Sequence, residues 1–137
     1  MNKNHEIGGF IIRIVLGIIF LVHGWMKFAG GIGNTVGMFE SMGMPAFVAY
    51  FTAIVELGGG LALIIGLGTR IAAALIAIIM FGAIATVKIH AGFLGNGQMA
   101  GFEFDLALAA MAIYLTLAGS SFLAVDKLWG SPRQVEK

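Results

Sequence analysis

One carboxylate stands inside a long run of apolar residues. Glu56 lies about halfway along the stretch from residue 46 to residue 67 and is followed by Leu57 and three glycines. A charge near the centre of a bilayer costs about 2.5–3.5 kcal/mol, even on insertion scales. The side chain of Glu56 is too short to reach water from this depth, so it must be protonated or paired with a cation. We expect Glu56 to serve proton or ligand chemistry, with a purely structural ion pair as the alternative.

Basic side chains in the first apolar stretch supply candidate partners for this carboxylate. Arg13 lies about 9 Å into that stretch, roughly one and a half turns below Glu56, and we expect the two to pair. The alternative is that Arg13 extends its guanidinium to the near membrane surface. His23 and Lys27 are one helical turn apart and share a face. Four further residues fall on roughly the same side and complete a stripe that is predicted to face inward, namely Arg13, Gly17, Phe20 and Gly24. Glu56 would then lie between Arg13 and His23 in depth; for His23, an interfacial position is the alternative.

A second group of ionisable residues lies near the opposite membrane surface. Lys88 and His90 end the third apolar stretch, and Glu103 and Asp105 begin the fourth. The simplest explanation is that Lys88 reaches the surface and that the carboxylates favour a helix N-terminus. An alternative pairs His90 with His23 as axial haem ligands, because both lie near the same surface. No ligand spacing supports a metal site.

The composition predicts the elements that position these residues. Of the 137 residues, 59% are hydrophobic and only 11% are charged, against about 25% charged in ordinary soluble domains. A mean hydropathy of +0.97 excludes a soluble enzyme, because a chain of this size cannot hide so much apolar surface from water. Four apolar stretches approach the ~20 residues that a membrane helix needs, at residues 7–28, 46–67, 71–89 and 104–125. We predict an all-α membrane protein, a bundle of four transmembrane helices.

This bundle forms a single integral membrane domain over residues 1–137, with a polar tail at 130–137. Four spans place both termini and the 68–70 connection on one side. That side carries more Lys and Arg residues than the other, so both termini are predicted to be cytoplasmic. The five residues on the side of the termini are Lys3, Arg70, Lys127, Arg133 and Lys137. The two on the other side are Lys27 and Lys88.

Small residues predict how the helices pack and end. Gly58, Ala62 and Gly66 repeat every four residues, which favours a close contact with a neighbouring backbone. Gly68 is suited to a helix C-terminus, and Thr69 to the N-cap of the next helix. The long first connection contains a short apolar pattern that is typical of an interfacial helix, formed by Val36, Phe39 and Met42.

Several classes of function are excluded by what the chain contains. A net charge of +1 gives no electrostatic footprint for nucleic acid. The sequence has no Cys, which excludes disulfides, a thiol redox centre, Cys-ligated iron–sulfur clusters and c-type haem attachment. The glycines lie in apolar stretches and connections rather than in a strand–turn–helix context, so no nucleotide or flavin motif is indicated.

Taken together, the motifs resemble those of the DoxX family across essentially the whole chain. The first stretch carries Arg13-x-x-x-Gly17-x-x-Phe20-x-x-His23-Gly24-x-x-Lys27-Phe28. The second carries Glu56-x-Gly58-Gly59 and then Gly66-x-x-Thr69-Arg70. The fourth ends in Gly119-Ser120-Ser121-x-x-x-x-Asp126. This last element departs from the family pattern, since Val125 precedes Asp126 in place of Leu and Ser121 replaces a second glycine.

The resemblance implies a four-helix protein of the bacterial cell membrane. Members are usually labelled oxidoreductases, and some relatives are subunits of thiosulfate:quinone oxidoreductases. The loops GGIGN and GFLGNGQMAG resemble a subgroup associated with catechol or quinone stress. The family supplies no agreed catalytic mechanism. Its motif positions in this chain are Arg13, His23, Lys27 and Glu56, whereas Lys88, His90, Glu103 and Asp105 are candidates from the residues alone.

The leading hypothesis is a membrane redox protein, or the membrane subunit of a redox complex, that acts on a quinone or small aromatic. Its ring would pack on Phe20 and Trp25. Arg13, His23 or Lys27 would hydrogen-bond a carbonyl oxygen, because a developing phenolate needs positive donors. Glu56 would relay the proton that accompanies reduction. The helices cannot carry electrons over a distance, so a bound cofactor or a soluble or membrane redox partner is implied.

Two other classes of function compete with this hypothesis. A small proton-coupled transporter could use Glu56 as its intramembrane carboxylate, although Arg13 and Lys27 would place fixed positive charge in its cavity. A non-catalytic assembly subunit would use the small-residue stripes and Gly-rich loops as docking surfaces. Both alternatives allow a homo-oligomer.

Overall fold

The structure is a computed structural model that describes residues 2–129, and it is entirely helical there apart from turns and one isolated bridge between Gly95 and Ala100. The tail predicted over 130–137 lies outside the described residues. The six α-helices are α1 (Lys3–Ala29), α2 (Ile32–Ser41), α3 (Ala46–Ile65), α4 (Thr69–Ala83), α5 (Glu103–Ala118) and α6 (Asp126–Trp129). A π-helical turn (Ile84–Lys88) and a 3-10 turn (Ile89–Ala91) extend α4.

Glycines set the register between α1 and α3, which run antiparallel in close contact. A methyl group on Gly24 would lie only 2.6 Å from Leu57 Cα, and one on Gly17 only 2.9 Å from the carbonyl oxygen of Gly60. Backbones can approach this closely only where side chains are missing. Gly60 supplies the contact on α3, whereas Gly58 has open space around it. The prediction of a close backbone contact is therefore wrong for Gly58, whereas Gly66 of the same stripe does lie close to the backbone of Ala124.

Four helices share one apolar core. Helix α1 packs against α3 and α5, and α4 packs against the same two helices, so α1 and α4 lie diagonally. Side chains from all four fill the space between them, among them Phe20, Leu63, Ile76 and Leu115. The inward face of α1 includes Arg13 and Gly24, as predicted for the polar stripe, whereas His23 of the same stripe is exposed.

Three helices are long and apolar enough to cross a membrane: Lys3–Ala29, Ala46–Ile65 and Thr69–Ala91. The fourth predicted stretch does not form one helix from 104 to 125. Helix α5 has 16 residues, which corresponds to about 24 Å. It ends where Gly119 adopts a φ of 71°, a left-handed conformation that favours glycine. A turn of irregular backbone follows and leads to α6.

The helix cap after the second connection differs from the sequence prediction, whereas the short helix of the first connection forms as predicted. Thr69 is not the N-cap of α4, because Gly68 holds that position with a φ of 56°. The cap comes instead from Asp126, whose carboxylate accepts hydrogen bonds from the backbone N–H of Gly68 at 2.9 Å and of Thr69 at 3.4 Å. The predicted interfacial helix forms as α2, which packs on α1 and α3 and buries Thr35.

Candidate functional site

An ion pair joins α1 to α3 inside the apolar region. Lys27 Nζ lies 2.5 Å from Glu56 Oε2 and donates a hydrogen bond to it. The Glu56 side chain is only 7% exposed, whereas the Lys27 side chain is 21% exposed. The Glu56 side chain is therefore nearly closed off, whereas the Lys27 side chain is partly accessible.

The helix register explains why these two residues meet. The contact between Gly24 and the Leu57 backbone places Glu56 level with Gly24 and Trp25. Lys27 lies about 3 Å further along α1 at 1.5 Å per residue, within reach of its long side chain. Glu56 lies on the buried face of α3 together with Thr52. The carboxylate thus faces α1, and Lys27 is the cation that α1 brings to it.

Arg13 does not pair with Glu56, and the prediction that it would is wrong. Its guanidinium binds the turn after α5, with Nη1 donating to the Ser120 carbonyl and Nη2 to the Leu123 carbonyl, each at 3.0 Å. It also lies 5.3 Å from the centre of the Phe10 ring. Arg13 is completely buried, enclosed by this turn and the helices around it.

The error came from the assumed register of the two helices. Aligning the ends of the apolar stretches sets residue 7 opposite residue 67. The glycine contacts instead set Gly17 opposite Ile64 and Gly24 opposite Leu57, a shift of about seven residues, or about 10 Å. Arg13 is consequently about 18 Å from the level of Glu56 along α1. The prediction that Glu56 lies between Arg13 and His23 in depth is wrong for the same reason.

The remaining predicted site residues of α1 do not gather around the ion pair. His23 is exposed but lies one turn before Lys27 on the same side of α1. Phe20 is 2% exposed and belongs to the core. Trp25 is 62% exposed and lies about 200° around the helix from Lys27. His23 and Phe20 both share a side of α1 with Lys27, but Phe20 is part of the apolar core.

A second ion pair lies where α4 ends and α5 begins. Lys88 Nζ is 3.4 Å from Asp105 Oδ2, and the Asp105 residue is 9% exposed. This oxygen lacks a partner with hydrogen-bond geometry, so the contact is electrostatic. Glu103 and His90 are exposed at the same end. Of the four candidates at this end, the structure therefore brings Lys88 and Asp105 together. Their opposite charges at the ends of neighbouring helices are the sequence signal that could have identified the pair.

The described residues do not fit a haem between His23 and His90. These residues belong to α1 and to the turn after α4, and the space between those diagonal helices is filled by Phe20, Ile76 and Met80. Both histidines are exposed. Within residues 2–129, no three His, Asp or Glu residues cluster closely enough to hold a metal ion.

Sequence reasoning missed the cluster at the other end of the molecule. There the turn after α5 supplies the carbonyls that bind Arg13, and Asp126 caps α4. These partners are separated by 58 residues or more along the chain. The motifs drew attention to the individual residues, but no spacing in a single sequence indicates which of them touch.

Comparison with known proteins agrees with the resemblance in the motifs. The DoxX family model matches residues 8–89, which include the ion pair. The protein named "Putative oxidoreductase CatD" from Bacillus subtilis is 48% identical over 126 residues, covering 92% of this chain and 90% of the relative. Of the three helices that are long enough to span a membrane, the first contains Lys27 and the second contains Glu56.

Two further relatives carry membrane names. "Inner membrane protein YqjF" from Escherichia coli is 30% identical over 128 residues, covering 93% of this chain and 96% of the relative. A protein of Mycobacterium tuberculosis, named only as an uncharacterized membrane protein, is 38% identical over 127 residues, covering 88% and 73%. No solved structure matches the chain. The apolar helices, the family match and these relatives lead to one conclusion: the chain belongs to the DoxX family of membrane proteins.

Proposed function

We propose that this protein is a quinone-linked membrane oxidoreductase, or the membrane subunit of one, and that Lys27 and Glu56 form its reaction site. The observation that carries the proposal is the ion pair between α1 and α3. Burying two charges in an apolar region is expensive, and well-packed apolar residues would often stabilise a fold as well or better. We therefore infer that the pair serves chemistry rather than stability.

The pair has the parts that quinone reduction requires. An ammonium has three N–H donors, and Lys27 directs one of them at Glu56. The other two N–H groups can donate to a quinone carbonyl oxygen. Negative charge develops on that oxygen as two electrons arrive, and a fixed ammonium stabilises it. The carboxylate of Glu56 then carries a proton to the reduced oxygen. Conversion of the quinone to the quinol takes two electrons from the partner and two protons, one on each carbonyl oxygen. Glu56 supplies the proton for the oxygen at Lys27, and the other oxygen takes its proton from water at the membrane surface.

Protons need a route to the buried carboxylate. His23 is exposed and lies one turn from Lys27 on the same side of α1. We assign it the role of collecting protons at the surface, because the imidazole ring has two nitrogens that can accept and donate a proton. Phe20 and Trp25 lie away from the pair, so we leave them outside the site. Arg13 acts as a structural residue of the opposite end.

The electrons must come from elsewhere, because the helices have no group that stores them. We propose a redox partner protein that reduces the bound quinone at this site. The name of the B. subtilis relative, an oxidoreductase, agrees with this role. A membrane subunit that holds the quinone while the partner protein supplies the electrons would need the same two residues, Lys27 and Glu56.

The proposed membrane arrangement has four spans in the bacterial cell membrane. Helix α5 would be the fourth span, with the irregular turn after it at the surface. Lys3, Arg70 and Lys127 lie at one end of the molecule, whereas Lys27 and Lys88 lie at the other. The positive-inside rule then makes the first end cytoplasmic, with both termini, and puts the reaction site toward the outer surface.

The structure gives less support to a proton-coupled transporter. Such a transporter needs its carboxylate free to bind and release the cargo, but Lys27 already occupies Glu56. A non-catalytic assembly subunit remains the competing proposal. It predicts that the protein copurifies with an enzyme and binds no quinone of its own.

Quinone binding tests the proposal. The protein is purified in mild detergent, and an organic extract is assayed for quinone by mass spectrometry. We expect about one quinone per chain in the wild type and strong loss in Lys27→Met, because the main donor to the carbonyl oxygen is gone. Glu103→Gln is the matched control, since Glu103 is exposed. Wild-type protein that neither retains nor rebinds quinone would contradict the redox proposal and favour the assembly subunit.

A further inference from the structure

A groove of about 510 Å³ lies at the opposite end of the molecule from the Lys27–Glu56 pair. It runs between the start of α4 and the turn that follows α5. Two sequence motifs that the proposed reaction does not use meet in it, the one that ends at Thr69-Arg70 and the one that begins at Gly119-Ser120-Ser121. The groove therefore brings together residues about 50 positions apart, and all of its polar side chains come from these motifs.

The groove carries hydrogen-bond donors suited to an anion. Arg70 is exposed, and its guanidinium donates one bond, from Nη2 to the Ala118 carbonyl at 3.2 Å. A guanidinium has five N–H donors, so this one bond leaves most of its donors for a ligand in the groove that Arg70 lines. The hydroxyl of Thr69 is buried, with the residue 4% exposed, and has no partner. Ser121 adds an exposed hydroxyl at the rim.

The one carboxylate in the groove is already satisfied. Asp126 accepts hydrogen bonds from the backbone N–H groups of Gly68 and Thr69, so its charge is directed at the N-terminus of α4. Arg13, which is buried, lies behind the turn and contributes a second cation. Among residues 2–129, two guanidiniums against one carboxylate leave a net positive charge at this site.

Apolar side chains border the groove on the membrane side. Ile71 lines the groove, and Leu117 directly precedes Ala118, which lines it on the other side. Both side chains belong to residues that are 72% exposed. An arginine at the surface with exposed aliphatic side chains beside it matches the two parts of a phospholipid, a phosphate headgroup and an acyl chain.

We propose that this groove is a phosphate-binding site. Arg70 binds the phosphate oxygens, with the Thr69 and Ser121 hydroxyls as further donors. The phosphate belongs either to an anionic phospholipid headgroup or to a small phosphate compound from solution. The site is independent of the proposed quinone chemistry, since no residue is shared.

Ligand binding to the full-length protein tests this assignment. The protein is delipidated in mild detergent, and native mass spectrometry measures binding of phosphatidylglycerol, of diacylglycerol, which lacks the phosphate, and of inorganic phosphate. Phosphatidylglycerol binding that exceeds diacylglycerol binding and is not displaced by inorganic phosphate identifies a lipid headgroup. Binding of inorganic phosphate without lipid identifies a soluble ligand. Equal binding of the two lipids, with no binding of inorganic phosphate, would overturn the proposal.

Two variants connect the binding to this groove. Arg70→Gln should weaken binding about tenfold or more, because a charge-assisted hydrogen bond is lost. Ser121→Glu leaves the Arg70 contact with Ala118 in place and adds a negative charge at the rim, so it should weaken binding without disturbing the fold. Lys3→Gln removes one exposed charge at the same end and is the control. Wild-type affinity in both groove variants, or an equal loss in Lys3→Gln, would show that the groove is not the site.

Discussion

Replacing Lys27 by Met is the sharpest perturbation of the ion pair. Methionine keeps the length and the apolar character of the lysine side chain, so packing changes little. The change removes the ammonium that lies 2.5 Å from Glu56. The carboxylate stays behind with a side chain that is only 7% exposed, and it must take up a proton or draw in water.

The size of the effect follows from how far the pair is buried. Removing one partner of a fully buried pair costs about 3–5 kcal/mol, because the other charge is left uncompensated. An exposed pair is worth about 0–1 kcal/mol. The Lys27 side chain is one-fifth exposed and the Glu56 side chain is nearly buried. We therefore expect the free energy of unfolding to fall by about 3 kcal/mol, near the lower end of the range for buried pairs.

The double variant Lys27→Met/Glu56→Gln separates charge from packing. It leaves no buried charge, so most of the stability should return, to within about 1.5 kcal/mol of the wild type. The free energy of unfolding is measured by titration with SDS in mixed micelles, followed by circular dichroism. A loss below about 1 kcal/mol in the single variant, or a double variant less stable than the single one, would refute the reasoning.

Three further predictions test other contacts. Gly24→Ala should destabilise by about 1–3 kcal/mol, since its methyl group meets backbone atoms of α3, whereas Gly58→Ala, which faces open space, should stay within about 0.5 kcal/mol in the same titration. Arg13→Met should cost at least about 2 kcal/mol, because two carbonyls of the turn after α5 lose their donor; an unchanged unfolding curve would show that the turn does not depend on it. Asp105→Asn should cost up to about 1 kcal/mol by breaking its ion pair with α4, and Glu103→Gln should have no measurable effect.

The sequence predicted which face of a helix is buried better than it predicted which residues meet across two helices. The spacing of Arg13, Gly17, Phe20 and Gly24 predicted one inward face of α1, and all four residues are buried. Helical periodicity is a local property, so a single sequence carries it. Glu56 was also recognised as a residue that needs a partner, because a carboxylate in an apolar run is costly wherever the helix packs.

The partners depended on register, which periodicity does not determine. Gly58 and Gly60 were both available for close packing, and α1 uses Gly60. That choice brings Lys27 rather than Arg13 to Glu56. The end of α5 depended on contacts of the same kind, since Arg13 holds the turn from more than 100 residues away. Such contacts are fixed by the packing of the whole molecule, so no local pattern indicates them.

The central claim is that Glu56 moves a proton when a quinone at Lys27 is reduced. Electrochemically induced infrared difference spectroscopy on the protein with bound quinone tests it most directly. We predict a carboxyl band that changes on reduction in the wild type and in Glu103→Gln and is lost in Glu56→Gln. A reduction spectrum of bound quinone that is the same in the wild type and in Glu56→Gln would contradict the account.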